Sequence, residues 1–74
     1  MWRVGGVIGR LDLAHRTLAI DGATLSIDVD TVILVDCKRA PLRALREGGR
    51  ADVVYEERDG RNVVIVVEAE GEQH

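Results

Sequence analysis

Two Asp-Gly dipeptides, Asp21-Gly22 and Asp59-Gly60, each sit between stretches rich in β-branched aliphatic residues. A two-residue type I′ turn needs positive φ at both central positions, and Asp-Gly meets that need with little strain. Each dipeptide therefore predicts a tight antiparallel hairpin, and together they commit much of the 74-residue chain to strand. In the first hairpin, a two-residue loop sets Ile20 opposite Ala23 and Leu18 opposite Leu25, with Ile27 on the same side. Thr17, Ala19, Thr24 and Ser26 take the other side, so turn chemistry and hydrophobic pattern agree on one register. In the second, a two-residue loop sets Tyr55 opposite Val64 and Val53 opposite Val66. A three-residue loop would turn Val63 and Ile65 inward instead. Either way the run Val63–Val67 is apolar on both faces, so one side must meet the helix, another strand or a second subunit. A homodimer through Val63, Ile65 and Val67 is the expectation that follows.

The remaining strands carry weaker signals. From Val7 to Leu13 the apolar residues Val7, Leu11 and Leu13 share a row with Gly9, as in a strand with one buried face. Gly5, Gly6 and Gly9 predict a bulge or sharp bend there. A turn is expected at Asp28–Asp30, after which Thr31–Asp36 continues as strand. The stretch Pro41–Arg50 then changes character. Pro41 suits a first helical position, Leu42 and Leu45 share a face, and Gly48 stands where a left-handed cap would end a helix of about two turns. A helix that short needs its leucines docked on something larger. The prediction is an all-β domain with one short helix: a five-stranded OB-like small barrel, the helix lying between strands three and four and capping the barrel bottom. It spans residues 1–74 as one domain, with a frayed tail from about residue 69.

Composition narrows the function. The core must be built from Val, Ile, Leu and Ala, because the chain has no Phe, one Trp and one Tyr. A single cysteine, Cys37, excludes an internal disulfide. No apolar run reaches signal-peptide or membrane-span length, so a soluble cytoplasmic protein is expected. Net charge is −3, unevenly spread: Lys38, Arg39, Arg43, Arg46 and Arg50 crowd one stretch, whereas residues 51–74 hold seven acids. A basic pole and an acidic pole are expected, and an acidic total argues against strong nonspecific nucleic-acid binding.

Gly6-Val7-Ile8, Leu11-Asp12, Arg16-Thr17-Leu18, Ile20-Asp21-Gly22, Ile27-Asp28, Thr31, Leu42-x-x-Leu45-x-x-Gly48 and Val53-x-Tyr55 follow one another over roughly residues 4–67. In that order and spacing the chain resembles a widespread bacterial family of small OB-like β-barrel domains of unknown function. The resemblance implies a fold and no established activity. The chain departs from it in having Gly48-Gly49 where Gly-Asp is usual, and the secretion signal many members carry is not expected here. Periplasmic copper-binding barrels have a similar layout but use clustered methionines, and here the single methionine is Met1. Translation initiation factor one and the cold-shock proteins resemble the chain in size, but they bind RNA through basic or aromatic strand faces, where this chain offers Thr17, Thr24 and Ser26.

Candidate chemistry is sparse. His15 falls in a turn, Cys37 lacks a His-and-acid set in any familiar order, and Asp28-x-Asp30 suits turn geometry as well as a cation site. Lys38, Arg39, Arg43, Arg46 and Arg50 form the one candidate binding face. No catalytic residue, metal ligand or cofactor is predicted. The expected function is a non-enzymatic interaction or structural module with an unknown protein partner; the alternative is a weak single-stranded nucleic-acid binder using the Arg39–Arg50 face.

Overall fold

A computed structural model describes residues 1–71 of the chain. Strands β1 (Trp2–Asp12), β2 (Thr17–Ile20), β3 (Ala23–Val35), β4 (Lys38–Arg39), β5 (Arg50–Arg58) and β6 (Arg61–Ala69) form one sheet, with a single 3-10 turn, Leu42–Ala44, before β5. The sheet order is β2-β1-β5-β6-β3-β4, and β2 also pairs with β3. That extra pairing closes β1, β2, β3, β6 and β5 into a five-stranded OB-like barrel, with β4 as a two-residue appendage on β3.

Both Asp-Gly hairpins form as two-residue turns, with φ of 50° and 80° at Asp21 and Gly22, and 52° and 77° at Asp59 and Gly60. Ile20 pairs with Ala23, Leu18 with Leu25 and Thr17 with Ser26, the register that the sequence predicts. In the second hairpin Tyr55 pairs with Val64 as expected, but Val53 pairs with Val67 rather than Val66. A bulge between Val54 and Tyr55 inserts Ile65 as an unopposed residue and shifts the register by one. Val64 and Val67 therefore both reach the core. The three residues expected to form a dimer face are dispersed: Val67 is wholly buried in the core, Val63 is buried outside it, and Ile65 is half-buried. β6 is also paired on both edges, antiparallel to β5 and parallel to β3.

A second bulge corrects the phase of β1. The ladder with β2 slips between Ile8 and Arg10, so the buried row is carried by Ile8 before the bulge and Leu11 after it. Val7 and Leu13, expected inside, are 47% and 50% exposed. The glycines do mark a bulge, and a bulge exchanges the two faces of a strand.

Asp28–Asp30 is a bulged excursion within a continuous β3 rather than a turn between strands. Between Ile27↔Val64 and Val32↔Val66 the β3–β6 ladder lapses, and Thr31 fills the gap. Its hydroxyl accepts the Asp28 N–H at 2.9 Å and donates to the Val64 carbonyl at 2.7 Å. On the outer side, Arg58 of β5 hydrogen-bonds Glu56 and reaches Asp28 Oδ2 of β3 at 3.5 Å. That span crosses β6 where Val63 stands between Glu56 and Ser26, which accounts for a valine buried outside the core. The Glu56 hydrogen bond also raises the Arg58 pKa further above its ordinary value.

The expected two-turn α-helix is one 3-10 turn, closed by Ala44 N–H to Pro41 O and Leu45 N–H to Leu42 O. Pro41 precedes it in extended conformation and no side chain caps it. Residues three apart eclipse in a 3-10 turn, so one turn already points Leu42 and Leu45 the same way, and both are buried in the core as predicted. Gly48 has φ 86° but does not cap the turn. With Gly49 it continues the β5 side of the barrel: Ile8 N–H donates to Gly49 O and Gly48 N–H to Ile8 O, each at 2.8 Å.

Strand ends where the tail was expected to begin. β6 runs to Ala69, opposite Ala51 and Val35, and the Gly71 N–H donates to Asp36 Oδ1 at 3.0 Å. Residues 72–74 of the predicted tail lie outside the described residues. The core holds Ile8, Leu18, Ile20, Leu25, Val53, Val64 and Val67 at 2% exposure or less, and no polar or charged residue among the described residues is buried. Truncating one such side chain to Ala costs about 2–5 kcal/mol, a large share of the roughly 5–15 kcal/mol available to a domain.

Thr31→Val keeps the shape of residue 31 and removes its hydroxyl. It should destabilise the protein by about 1–3 kcal/mol, because the Asp28 N–H and Val64 C=O lose their partner together. Urea unfolding measures this, and an unchanged midpoint would show that the β3–β6 gap does not depend on Thr31.

Candidate functional site

The basic stretch is the sequence's candidate binding face, and the fold divides it. β3 and β4 form a hairpin through Asp36-Cys37, setting Lys38 opposite Val35 and Arg39 opposite Leu34. Arg43 lies in the 3-10 turn, and Arg46 and Arg50 lie on either side of Gly48-Gly49. All five side chains are exposed. Of the five, Arg46 and Arg50 share a concave surface, a groove of ≈300 Å³ between the segment Ala44–Arg50 and the end of β6. Ile8, Leu45 and Ala69 supply apolar walls, while Glu47 and Glu70 add acids to the two arginines. The groove is thus close to neutral in formal charge.

Its backbone groups are already engaged. Gly48 N–H bonds Ile8 O, Gly49 N–H bonds Arg46 O, and Glu70 N–H reaches Arg50 O. No row of free N–H groups is left at the glycines to cradle a phosphate, which agrees with their position after the turn rather than before a helix. The Glu47 carboxylate accepts the Leu11 N–H at 2.9 Å, tying the groove wall to β1 just past its bulge.

The expected separation of charge into two poles is incomplete at the basic end. β6 lies between β3 and β5, so Glu68 stands next to Leu34, Glu70 next to Arg50, and Asp36 holds Gly71. Acids from the last third of the sequence are interleaved with the basic stretch. A second cleft of ≈340 Å³, lined by Gly5, Gly6, Arg50, Ala51, Asp52, Glu68 and Glu70, is acidic for the same reason. Sequence reasoning missed Ile8, Ala69, Glu70 and Gly71 as groove residues, because only the pairing of distant strands brings them to Arg46 and Arg50.

The other candidates are placed apart. His15 lies at the surface in the turn between β1 and β2, where its N–H donates to Asp12 Oδ1 at 3.0 Å and its Nδ1 meets Asp12 Oδ2 at 2.9 Å. Cys37 is exposed at the tip of the β3–β4 turn, with φ 68°. Asp28 serves the bulge, accepting the Val29 N–H and the Arg58 guanidinium. Among the described residues no group of three or more His, Cys, Asp and Glu side chains is arranged to hold a metal ion. No helix among them is long and apolar enough to cross a membrane.

The face that OB barrels use for oligonucleotides, on strands β2 and β3, carries Thr17, Ala19, Thr24 and Ser26 in facing pairs. The two aromatic residues lie elsewhere: Trp2 and Tyr55 are partners on β1 and β5, their rings stacked at 6.0 Å and 23°. Comparison with protein-family models, with characterised proteins and with solved structures returned no match.

The Asp12 carboxyl is held below the usual carboxylate range, first by the His15 backbone N–H and then by the His15 ring. A group whose folded pKa is lowered stabilises the protein above its unfolded value, about 3.9, and that stabilisation fades as pH falls through the folded value. Asp12→Asn should therefore lower the melting temperature at neutral pH, and the difference should close as the solution becomes strongly acidic. A difference that is independent of pH would contradict this role.

Proposed function

We propose that this barrel is a non-enzymatic interaction module whose binding surface is the groove between Ala44–Arg50 and the end of β6. The observation that carries the reading is the chemistry of its lining: apolar walls from Ile8, Leu45 and Ala69, bordered by two arginines and two glutamates. A short protein segment with one or two apolar side chains and mixed charge matches that lining, since apolar contact supplies affinity and the charged rim supplies orientation. A phosphate-rich ligand matches it poorly, because Glu47 and Glu70 oppose the arginines. The resemblance to small OB-like domains of unknown function is consistent with this reading and names no partner.

A second reading, single-stranded nucleic-acid binding, rests on the exposure of Lys38, Arg39, Arg43, Arg46 and Arg50 along one stretch of chain. Salt dependence separates the two, because phosphate contacts are strongest at low salt. Fluorescence titration with single-stranded RNA and DNA at low ionic strength should show no binding. Saturable binding that weakens steeply with salt would favour the second reading. For the first, partners captured by the wild-type barrel should be lost from the Arg50→Glu variant once circular dichroism shows it folded. An identical captured set would contradict the groove as the binding surface.

A further inference from the structure

The barrel leaves a stretch of the β1 edge open. β1 pairs with β5 from Trp2 to Val7, but its pairing with β2 begins only at Ile8. Among the described residues, residues 2–6 therefore have a neighbouring strand on one side alone, and Trp2, Arg3 and Gly5 are exposed. Unpaired strand edges recruit further strands unless something blocks them. This one has no proline, and two of its residues, Gly5 and Gly6, have no side chain.

The direction of its free groups follows from Ile8. Both the N–H and the C=O of Ile8 bond to Gly48-Gly49 on the β5 side. Backbone groups alternate along a strand, so Val4 and Gly6 also face β5, whereas Arg3 and Gly5 direct theirs to the open edge. An added antiparallel strand must present its own free groups at matching positions.

We infer that the open edge of β1 pairs antiparallel with the same edge of a second copy, across a two-fold axis at Val4. This register pairs Arg3 of each copy with Gly5 of the other, the two residues whose backbone groups are free. It sets Trp2, 54% exposed, over the bare Gly6 of the second copy, and Met1 beside its exposed Val7. An aromatic ring across from a strand glycine covers backbone that glycine leaves open.

Charge selects the same register. On the outer face Gly5 stands beside Asp52, and Asp52 stands opposite Glu68, two acids paired across β5 and β6. Like charges in that position repel, and neither acid has an ion-pair partner among the described residues. The Asp52 carboxylate leans into the space a Gly5 side chain would take. Arg3 of a second copy, placed opposite Gly5, enters the row as the missing cation. Arg3 itself makes no ion pair within its own chain among the described residues. An isologous interface of this kind uses one patch twice. It meets the groove proposed as the binding surface only where Val7 pairs with Arg50, and the two are tested by different variants, so either can fail without the other.

Sedimentation equilibrium on the full chain should show a concentration-dependent rise from 8.1 kDa towards twice that mass, within chain concentrations up to about 1 mM. Arg3→Asp should weaken dimerisation by about tenfold or more, and adding Asp52→Arg should restore it by exchanging the charges. Facing residues at the axis lie about 4.5 Å apart in a non-hydrogen-bonded pair, within reach of a disulfide. Val4→Cys, in a chain also carrying Cys37→Ser, should therefore form a covalent dimer on mild oxidation. In the wild-type chain, the Arg3 and Gly5 amides should gain protection from hydrogen exchange as concentration rises. A chain that stays at 8.1 kDa throughout would overturn the inference. So would a dimer indifferent to Arg3→Asp whose Arg3 and Gly5 amides stay unprotected.

Discussion

The parallel pairing of β3 with β6 is the constraint on which the rest of the structure depends. Four of its five barrel contacts are antiparallel neighbours, and this one joins strands separated in sequence by β4, the 3-10 turn and β5. It moves β6 from the edge of a meander to the interior of a closed sheet. That placement covers an otherwise two-faced apolar strand: Val64 and Val67 enter the core, while Val63 lies under the span from Arg58 to Asp28. It also returns Glu68 to the neighbourhood of the basic stretch, as the β5–β6 pairing does Glu70. Thr31 carries the pairing across the break in the ladder with a hydroxyl that donates and accepts at once.

Local chemistry was legible in the sequence, and long-range geometry was legible only where local chemistry left one choice. Asp21-Gly22 and Asp59-Gly60 announce their turns because each supplies two residues that tolerate positive φ. Leu42 and Leu45 announce a docked turn, although their spacing does not distinguish a 3-10 turn from a longer helix. The β3–β4 hairpin gave no such notice, since Asp36 and Cys37 adopt φ of 52° and 68° without a glycine. The bulges at Gly9 and Ile65 were harder still. An inserted residue changes the face of every side chain beyond it, so a phase read from Val7, Leu11 and Leu13 was bound to fail at one end.

The candidate site shows the same division. Five cations within thirteen residues read as one face, yet the chain turns at Leu42–Ala44 and at Gly48-Gly49 between them, just after the turn at Asp36-Cys37. Only Arg46 and Arg50 come to share a groove, and the acids that neutralise it include Glu70, twenty residues beyond Arg50 in sequence. Nothing in the local pattern could reveal that neighbour. The open edge of β1 was equally hidden, because it exists only where a four-residue β2 stops short of an eleven-residue β1.

The central claim is that β6 lies parallel to β3 inside a closed barrel. Solution NMR of the wild-type chain tests it most directly, through cross-strand nuclear Overhauser contacts and amide exchange. The barrel requires contacts between Val32 and Val66 and between Leu34 and Glu68, with slow exchange for amides on both edges of β6. Absence of those contacts, with fast exchange along the β6 edge that faces away from β5, would contradict the closed barrel and leave an open antiparallel meander in its place.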